Sequence, residues 1–193
     1  NPLSLRQMGA QVVRQAMEEA SVDRIDGLFI SNYAGDELQG QKHLGPLIAD
    51  EAGISGVEAL QIRAACAAGA GALRMAYLTV AAGQADLAVA VGVEKMDPEK
   101  STPVLAKALD AEEEIPHGNN MITIIAKLMR MYFERYKVPE GGFDNFPLLA
   151  HANGKGNPNA LFYGKDVSAE KVRNARKIVD PVQLYDCSPI CDG

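Results

Sequence analysis

Along residues 3–20 the apolar side chains Leu5, Met8, Val12, Val13 and Ala16 recur at a spacing near 3.6, with polar residues between them. That period is the mark of an amphipathic helix, and Ser4 stands where an N-cap belongs. The pattern then changes. "IDGLFISNY" (25–33) is a short apolar run between Asp and Gly turn residues and reads as a strand. "KHLGPLIADEAGI" (42–54) predicts a helix stopped at Gly53, and "VEALQIR" (57–63) alternates as a second strand. After an Ala-rich helix comes "ADLAVAVGVEKM" (85–96), whose stretch from Leu87 to Val91 is continuously apolar, as in a strand covered on both faces. Strand, helix and strand thus repeat, which favours a parallel α/β class. The pattern opens on a helix with no strand before it, so a larger fold is expected.

From residue 97 the texture differs. "DPEKSTPVLAKALDAEEEIPHGNN" (97–120) is charged, carries three prolines and is expected to run over the surface. "MITIIAKLMRMYFERYKV" (121–138) has one apolar side and predicts a helix. "HANGKGNPNALFYGKDVSAEKV" (151–172) reads as loop with short helical pieces, and "VQLYDC" (182–187) as a final strand. The expected organisation is a core over 1–96, an excursion over 97–180 and a return to the core sheet over 181–193.

Composition narrows the function. The 193 residues are 47% hydrophobic and 23% charged, ordinary for a globular protein, with a net charge of −6. An acidic chain argues against nucleic acid as the main partner, because phosphates want a basic face. No apolar run reaches the ~18 residues of a spanning helix, and the first residues lack the layout of a signal peptide. Three cysteines are too few for a disulfide framework, so a reducing, cytoplasmic setting is expected.

The Ala-rich segment "QIRAACAAGAGALRMAYLTVAAG" (61–83) holds nine alanines and three glycines. A helix without a polar face is expected to be buried on every side. Gly69 and Gly71 each cost roughly 1 kcal/mol against alanine in a helix interior, which close backbone packing can offset. Cys66 stands where strand gives way to helix. There the free N–H groups and the helix dipole favour a thiolate and can hold a developing oxyanion. An inert buried cysteine fits the same spacing.

At these residues the chain resembles the thiolase superfamily. "RAACAAGAGALRMAYLTVAAGQADLAVAVGVEKM" (63–96) is similar to that family's nucleophile helix and following strand. "DCSPICDG" (186–193) is similar to its "DCSP…DG" turn, and "HANGKGNPNALF" (151–162) resembles a segment of the sterol-carrier-protein-type and archaeal branch. The resemblance implies an α/β/α/β/α layered fold, of which this chain covers most of the N-terminal half. It implies an acyltransferase that makes or breaks a carbon–carbon bond beside a thioester, with Cys66 as nucleophile. It places the excursion over the coenzyme A site. No separate cofactor is expected, coenzyme A being part of the substrate. The implied partners are a second copy, as dimer or tetramer, and a small zinc-containing OB-fold protein. The family's activating histidines and second cysteine belong to the other half. Ketoacyl and hydroxymethylglutaryl-CoA synthases share the fold and the cysteine, and a non-catalytic acyl-CoA-binding scaffold is a further alternative.

Other candidates follow. His117 and Met96 are possible contacts to the acyl-CoA. His151 fits either substrate binding or a structural hydrogen bond. His43 reads as a helix-start residue. Glu94 and Lys95 follow a strand end, where α/β sheets place ligands or fix turns. Lys42, Lys155, Lys165 and Lys171 are candidates for coenzyme A phosphates. Cys187 and Cys191, spaced C-x3-C without a second pair, read as structural, and no metal is expected.

Overall fold

The computed structural model describes residues 2–193. Two compact units emerge, Asn1–Ala108 with Ile190–Gly193, and Leu109–Pro189.

The first unit opens with α1 (Leu5–Glu19), capped by Ser4, whose hydroxyl accepts the Gln7 N–H while the Gln7 side chain accepts the Ser4 N–H. This reciprocal pair satisfies two donors that a helix start leaves open. Three five-residue strands follow: β1 (Gly27–Ser31), β2 (Glu58–Ile62) and β3 (Ala88–Gly92). They form one parallel sheet in the order β2-β1-β3. Between β1 and β2 lie α2 (Gly35–Leu38) and α3 (Leu44–Ala52). The latter ends at Gly53, whose φ of 79° is the left-handed cap that glycine adopts freely. The Ala-rich helix is α4 (Ala68–Ala81), and α5 (Ser101–Ala106) closes the unit past the composition change at 97.

The central strand β1 is buried throughout, and its alternation sorts the core. Leu28 and Ile30 point to one face, into a cluster with Leu5, Val13, Leu44 and Ile48 from α1 and α3. Phe29 points to the other, against Ala72 and Ala76 of α4. In β3, Val91 joins the first cluster and Ala88 and Ala90 pack on the second. This strand is therefore covered on both faces, yet only Val91 in it is buried, because among the described residues its outer edge has no neighbouring strand in the sheet. At its end Glu94 and Gly193 exchange both backbone hydrogen bonds, the pattern of an antiparallel pair.

A helix can lie this close to a sheet only where a side chain is absent. A Cβ on Gly45 of α3 would come 2.8 Å from the Ala59 carbonyl oxygen of β2. Backbone cannot step aside as a flexible side chain can. Gly45→Ala should therefore destabilise by about 1–2 kcal/mol, overpacking outweighing the gain in helix propensity. A urea titration reads this as a lower midpoint at unchanged slope.

Two expectations change here. The Ala-rich helix is not buried on every side. Ala68, Ala72 and Ala76 face the sheet, whereas Leu73 (65%), Tyr77 (69%) and Val80 (41%) are exposed. Among the described residues the first unit has one sheet, and one sheet covers one face of the helix. Second, the strand over 182–187 does not join the core sheet. Its residues form β5 (Val182–Gln183), which pairs antiparallel with β4 (Lys177–Val179), and a 3-10 turn over Leu184–Asp186. Only the last residues return to the first unit.

The second unit adds α6 (Met121–Tyr136), α7 (Asn145–Lys155) and α8 (Ala169–Arg173). Asn120 caps α6, accepting the N–H groups of Ile122 and Thr123. Residue 151, read from sequence as the start of a loop, lies inside α7. Among the described residues no helix is long and apolar enough to cross a membrane.

Candidate functional site

Parallel sheets present ligand-binding residues at the carboxyl ends of their strands. In the first unit these ends carry Ser31 as the last residue of β1 with Asn32 and Tyr33 after it, Arg63 after β2, and Glu94 after β3. Cys66 sits between β2 and α4, in a 3-10 turn over Ala65–Ala67, and is exposed. The residue before it, Ala65, has a φ of 45°, which a side chain with a Cβ rarely adopts. Such strain persists where surroundings enforce it, and it turns the chain sharply from strand into helix. The thiol is thereby presented outward just before the first turn of α4.

The small residues around Cys66 have separate causes. A Cβ on Gly71 would lie 3.0 Å from Ile62 Cγ2, so this glycine does permit close packing. A Cβ on Gly92 would lie 3.2 Å from Ser31 Oγ, so β3 closes tightly on that hydroxyl. At Gly69 the nearest atom is Ser31 Oγ at 3.9 Å, and packing does not require a glycine. Space beside the cysteine is what Gly69 and its alanine neighbours leave.

The rim is held by Asn32 and Tyr33, which the sequence reading passed over, and by Glu94 and Lys95, which it singled out. Asn32, 1% exposed, donates from Nδ2 to the Val93 carbonyl (2.8 Å) and accepts the Gly35 N–H at Oδ1 (2.8 Å). The Glu94 carboxylate accepts the N–H groups of Tyr33 and Ala34. Lys95 donates to the Leu3 carbonyl (2.6 Å), and the Met96 N–H donates to Asp192 (2.9 Å). Glu94 and Lys95 therefore fix turns, and Met96 is half-buried beside them. Tyr33 donates its hydroxyl to the Val104 carbonyl at 3.0 Å, tying α5 to the rim. Burial pushes the Tyr33 hydroxyl pKa up, and Cys66 is the next cause, which puts the two side chains within electrostatic reach. An Asn-Tyr pair directly after a buried strand is the signal that could have marked this rim in the sequence.

Two ion pairs flank it, Arg63–Asp36 and Lys107–Glu37, both at 2.8 Å. The Arg63 hydrogen bond holds the Asp36 carboxyl below its ordinary value of 3.8. A carboxyl whose pKa is lower folded than unfolded stabilises the fold above the unfolded value and loses that contribution as pH falls through the folded one. Stability measured by urea should thus decline below about pH 4, and Asp36→Asn should flatten part of that decline.

The remaining candidates lie apart in sequence. His43 occupies the start of α3 with φ 61°, and its side chain makes no capping bond. His117 is exposed at the end of a 3-10 turn over Ile115–His117 in the second unit. His151 lines a cavity in the same unit and makes ring contacts there. Its ring stands against Phe162 and Tyr185, and its backbone lies within α7. Lys155 pairs with Asp166 (2.7 Å), and Lys165 lies 5.3 Å from the Phe162 ring centre. Cys187 donates to the Gln183 carbonyl at 3.6 Å, and burial pushes its thiol pKa up, away from thiolate chemistry. Cys191 is exposed. Among the described residues no three His, Cys, Asp or Glu side chains gather as a metal site would need.

Comparison with known proteins adds three findings. Residues 1–181 match the family described as thiolase, N-terminal domain. The chain is 35% identical over 194 residues to an acetyl-CoA acetyltransferase of Methanothermobacter thermautotrophicus, covering 99% of this chain and 50% of that protein. It is 26% identical to a benzoylsuccinyl-CoA thiolase subunit of Thauera aromatica, covering 96% and 48%. The chain spans about half the length of these relatives. Among solved structures, a chain of an Ltp2-ChsH2(DUF35) aldolase superposes with a TM-score of 0.75 at 21% identity, over 97% of this chain and 48% of that one. That likeness shows the fold.

Proposed function

Because the chain belongs to the thiolase family, whose N-terminal domain it carries, we propose that it works in acyl transfer from coenzyme A thioesters, with Cys66 as the nucleophile. The observation that carries this reading is the exposed thiol on the sharp turn into α4, at the carboxyl edge of the parallel sheet. In the proposed reaction the Cys66 sulfur attacks the thioester carbonyl carbon. The bond to the coenzyme A sulfur breaks, coenzyme A leaves as a thiol after taking a proton, and the acyl group stays on Cys66. The α-carbanion of a second acyl-CoA then forms the new carbon–carbon bond and expels the Cys66 sulfur. Thiolysis of a 3-ketoacyl-CoA is the same path reversed.

Covalent catalysis by a thiol wants a base beside it. No histidine of the first unit follows a strand end, so that base and the acid for the α-proton come, in this reading, from a second α/β half like the one the relatives' extra length accommodates. The exposed apolar face of α4 with Leu73, Tyr77 and Val80 is where such a half would seat. Met96, His117 and His151 are the proposed contacts to the acyl-CoA. The proposed setting is a cytoplasmic homo-oligomer, and the DUF35 name in the similar aldolase supports a small partner protein.

Iodoacetamide labelling read by mass spectrometry tests the assignment, with Cys191 as internal control because it is also exposed. Cys66 should label first and should be protected by an acyl-CoA, while Cys191 is unaffected. Equal labelling without protection would count against it.

A further inference from the structure

We infer that Ser31 is a specificity-determining residue beside Cys66, favouring short acyl groups that carry a hydroxyl or carbonyl oxygen a few carbons from the thioester over plain alkyl groups of equal length. This rests on the proposed acyl transfer at Cys66 and names a substrate class for it.

Ser31 ends β1, two residues after Phe29, so its side chain lies on the same face of the strand, the one that α4 covers. The residue is 5% exposed. Its carbonyl accepts the Val93 N–H, but among the described residues its hydroxyl has no hydrogen-bond partner. A hydroxyl buried to that extent ordinarily has one. Its neighbours are two glycines. A Cβ on Gly69 would lie 3.9 Å from Ser31 Oγ and a Cβ on Gly92 3.2 Å from it, and beyond their own segments neither would meet another atom within 4 Å. Both glycines are exposed. The hydroxyl therefore lies under a window with no side chain to close it. Gly69 gives up helix propensity there without a packing contact that demands it, and a side chain at 69 would shut the window.

The window opens close to the thiol. Gly69 is the second residue of α4, and Cys66 stands in the turn just before that helix. Three residues of helix rise by about 4.5 Å, a span that the first few carbons of an acyl chain on Cys66 cover. An alkyl chain laid over the window shuts water away from Ser31 and returns no hydrogen bond. An oxygen on the chain supplies the missing partner. A site with a buried polar group discriminates strongly against a ligand that leaves it unpaired.

Calorimetric titration of the full chain carrying Cys66→Ser, with 3-hydroxybutyryl-CoA and with butyryl-CoA, tests this without requiring turnover. The hydroxylated ester should bind about tenfold more tightly. Ser31→Ala should abolish the preference by weakening the hydroxylated ester alone, and Ser31→Thr, which keeps the hydroxyl, should retain it. Gly69→Ala, whose new methyl covers the hydroxyl without a clash, should also reduce the preference and serves if Ser31→Ala folds poorly. Equal affinity for the two esters, no binding of either, or a preference that survives a folded Ser31→Ala or Gly69→Ala chain overturns the inference. A preserved preference in a parent chain whose Cys66 takes up no acyl group would overturn the catalytic reading alone.

Discussion

Cys66→Ser should slow release of coenzyme A in the first turnover of an acyl-CoA by on the order of 10⁴-fold or more. Serine keeps the size and the position on the turn before α4, so the fold is not at issue. What changes is the proposed nucleophile. A hydroxyl is far harder to ionise than a thiol, and the free N–H groups of the helix start cannot make up that difference. The measurement is a stopped-flow or quenched assay of free thiol from coenzyme A, with thermal melting as the control for folding. A variant within tenfold of the parent would mean that another group receives the acyl chain or that none does.

Phe29→Ala should produce the largest loss of stability, about 3–5 kcal/mol. Phe29 is completely buried in the central strand, and the surfaces it meets on α4 are Ala72 and Ala76. Around those methyls, Met75 of α4 and Ile62 of β2 pack against the same cluster and are the longer side chains near the hole. Where the cost falls within that range depends on how far they close it, since the penalty grows with the cavity that survives relaxation. Domains of this size are stable by only about 5–15 kcal/mol, so a large share of the molecules would unfold under mild denaturant. The ring also seats the helix that follows Cys66, so labelling at that thiol should lose its selectivity in parallel. Urea unfolding with Phe29→Leu as comparator reads the effect. A loss below about 1 kcal/mol would show that α4 is held by something other than this contact.

Much of the first unit was legible because periodicity and punctuation agreed. Ser4, Gly53 and the alternation of β1 mark boundaries through local chemistry, which sequence carries directly. The environment of α4 was misread because burial belongs to the whole assembly. A stripe of Leu73, Tyr77 and Val80 looks the same whether a neighbour covers it or not. Cys66 could be singled out from its spacing and from resemblance, whereas its surroundings could not. Asn32, Tyr33 and Glu94 meet only because β1 and β3 are sheet neighbours, and that adjacency joins residues some sixty positions apart, as the Asn32–Val93 bond does. In the second unit, His151 looked like a loop residue, since "HANGKGNPN" is rich in turn formers. The residues before it, from Asn145, start the helix that carries it through.

The most direct test of the central claim is to trap the acyl-enzyme. The chain is mixed with an acyl-CoA, quenched in acid, digested, and the peptide containing residue 66 is weighed. The account predicts one acyl group on Cys66, removable by hydroxylamine and absent from Cys187 and Cys191. An acyl group found on either of those cysteines instead, or on none while coenzyme A is released, would contradict it.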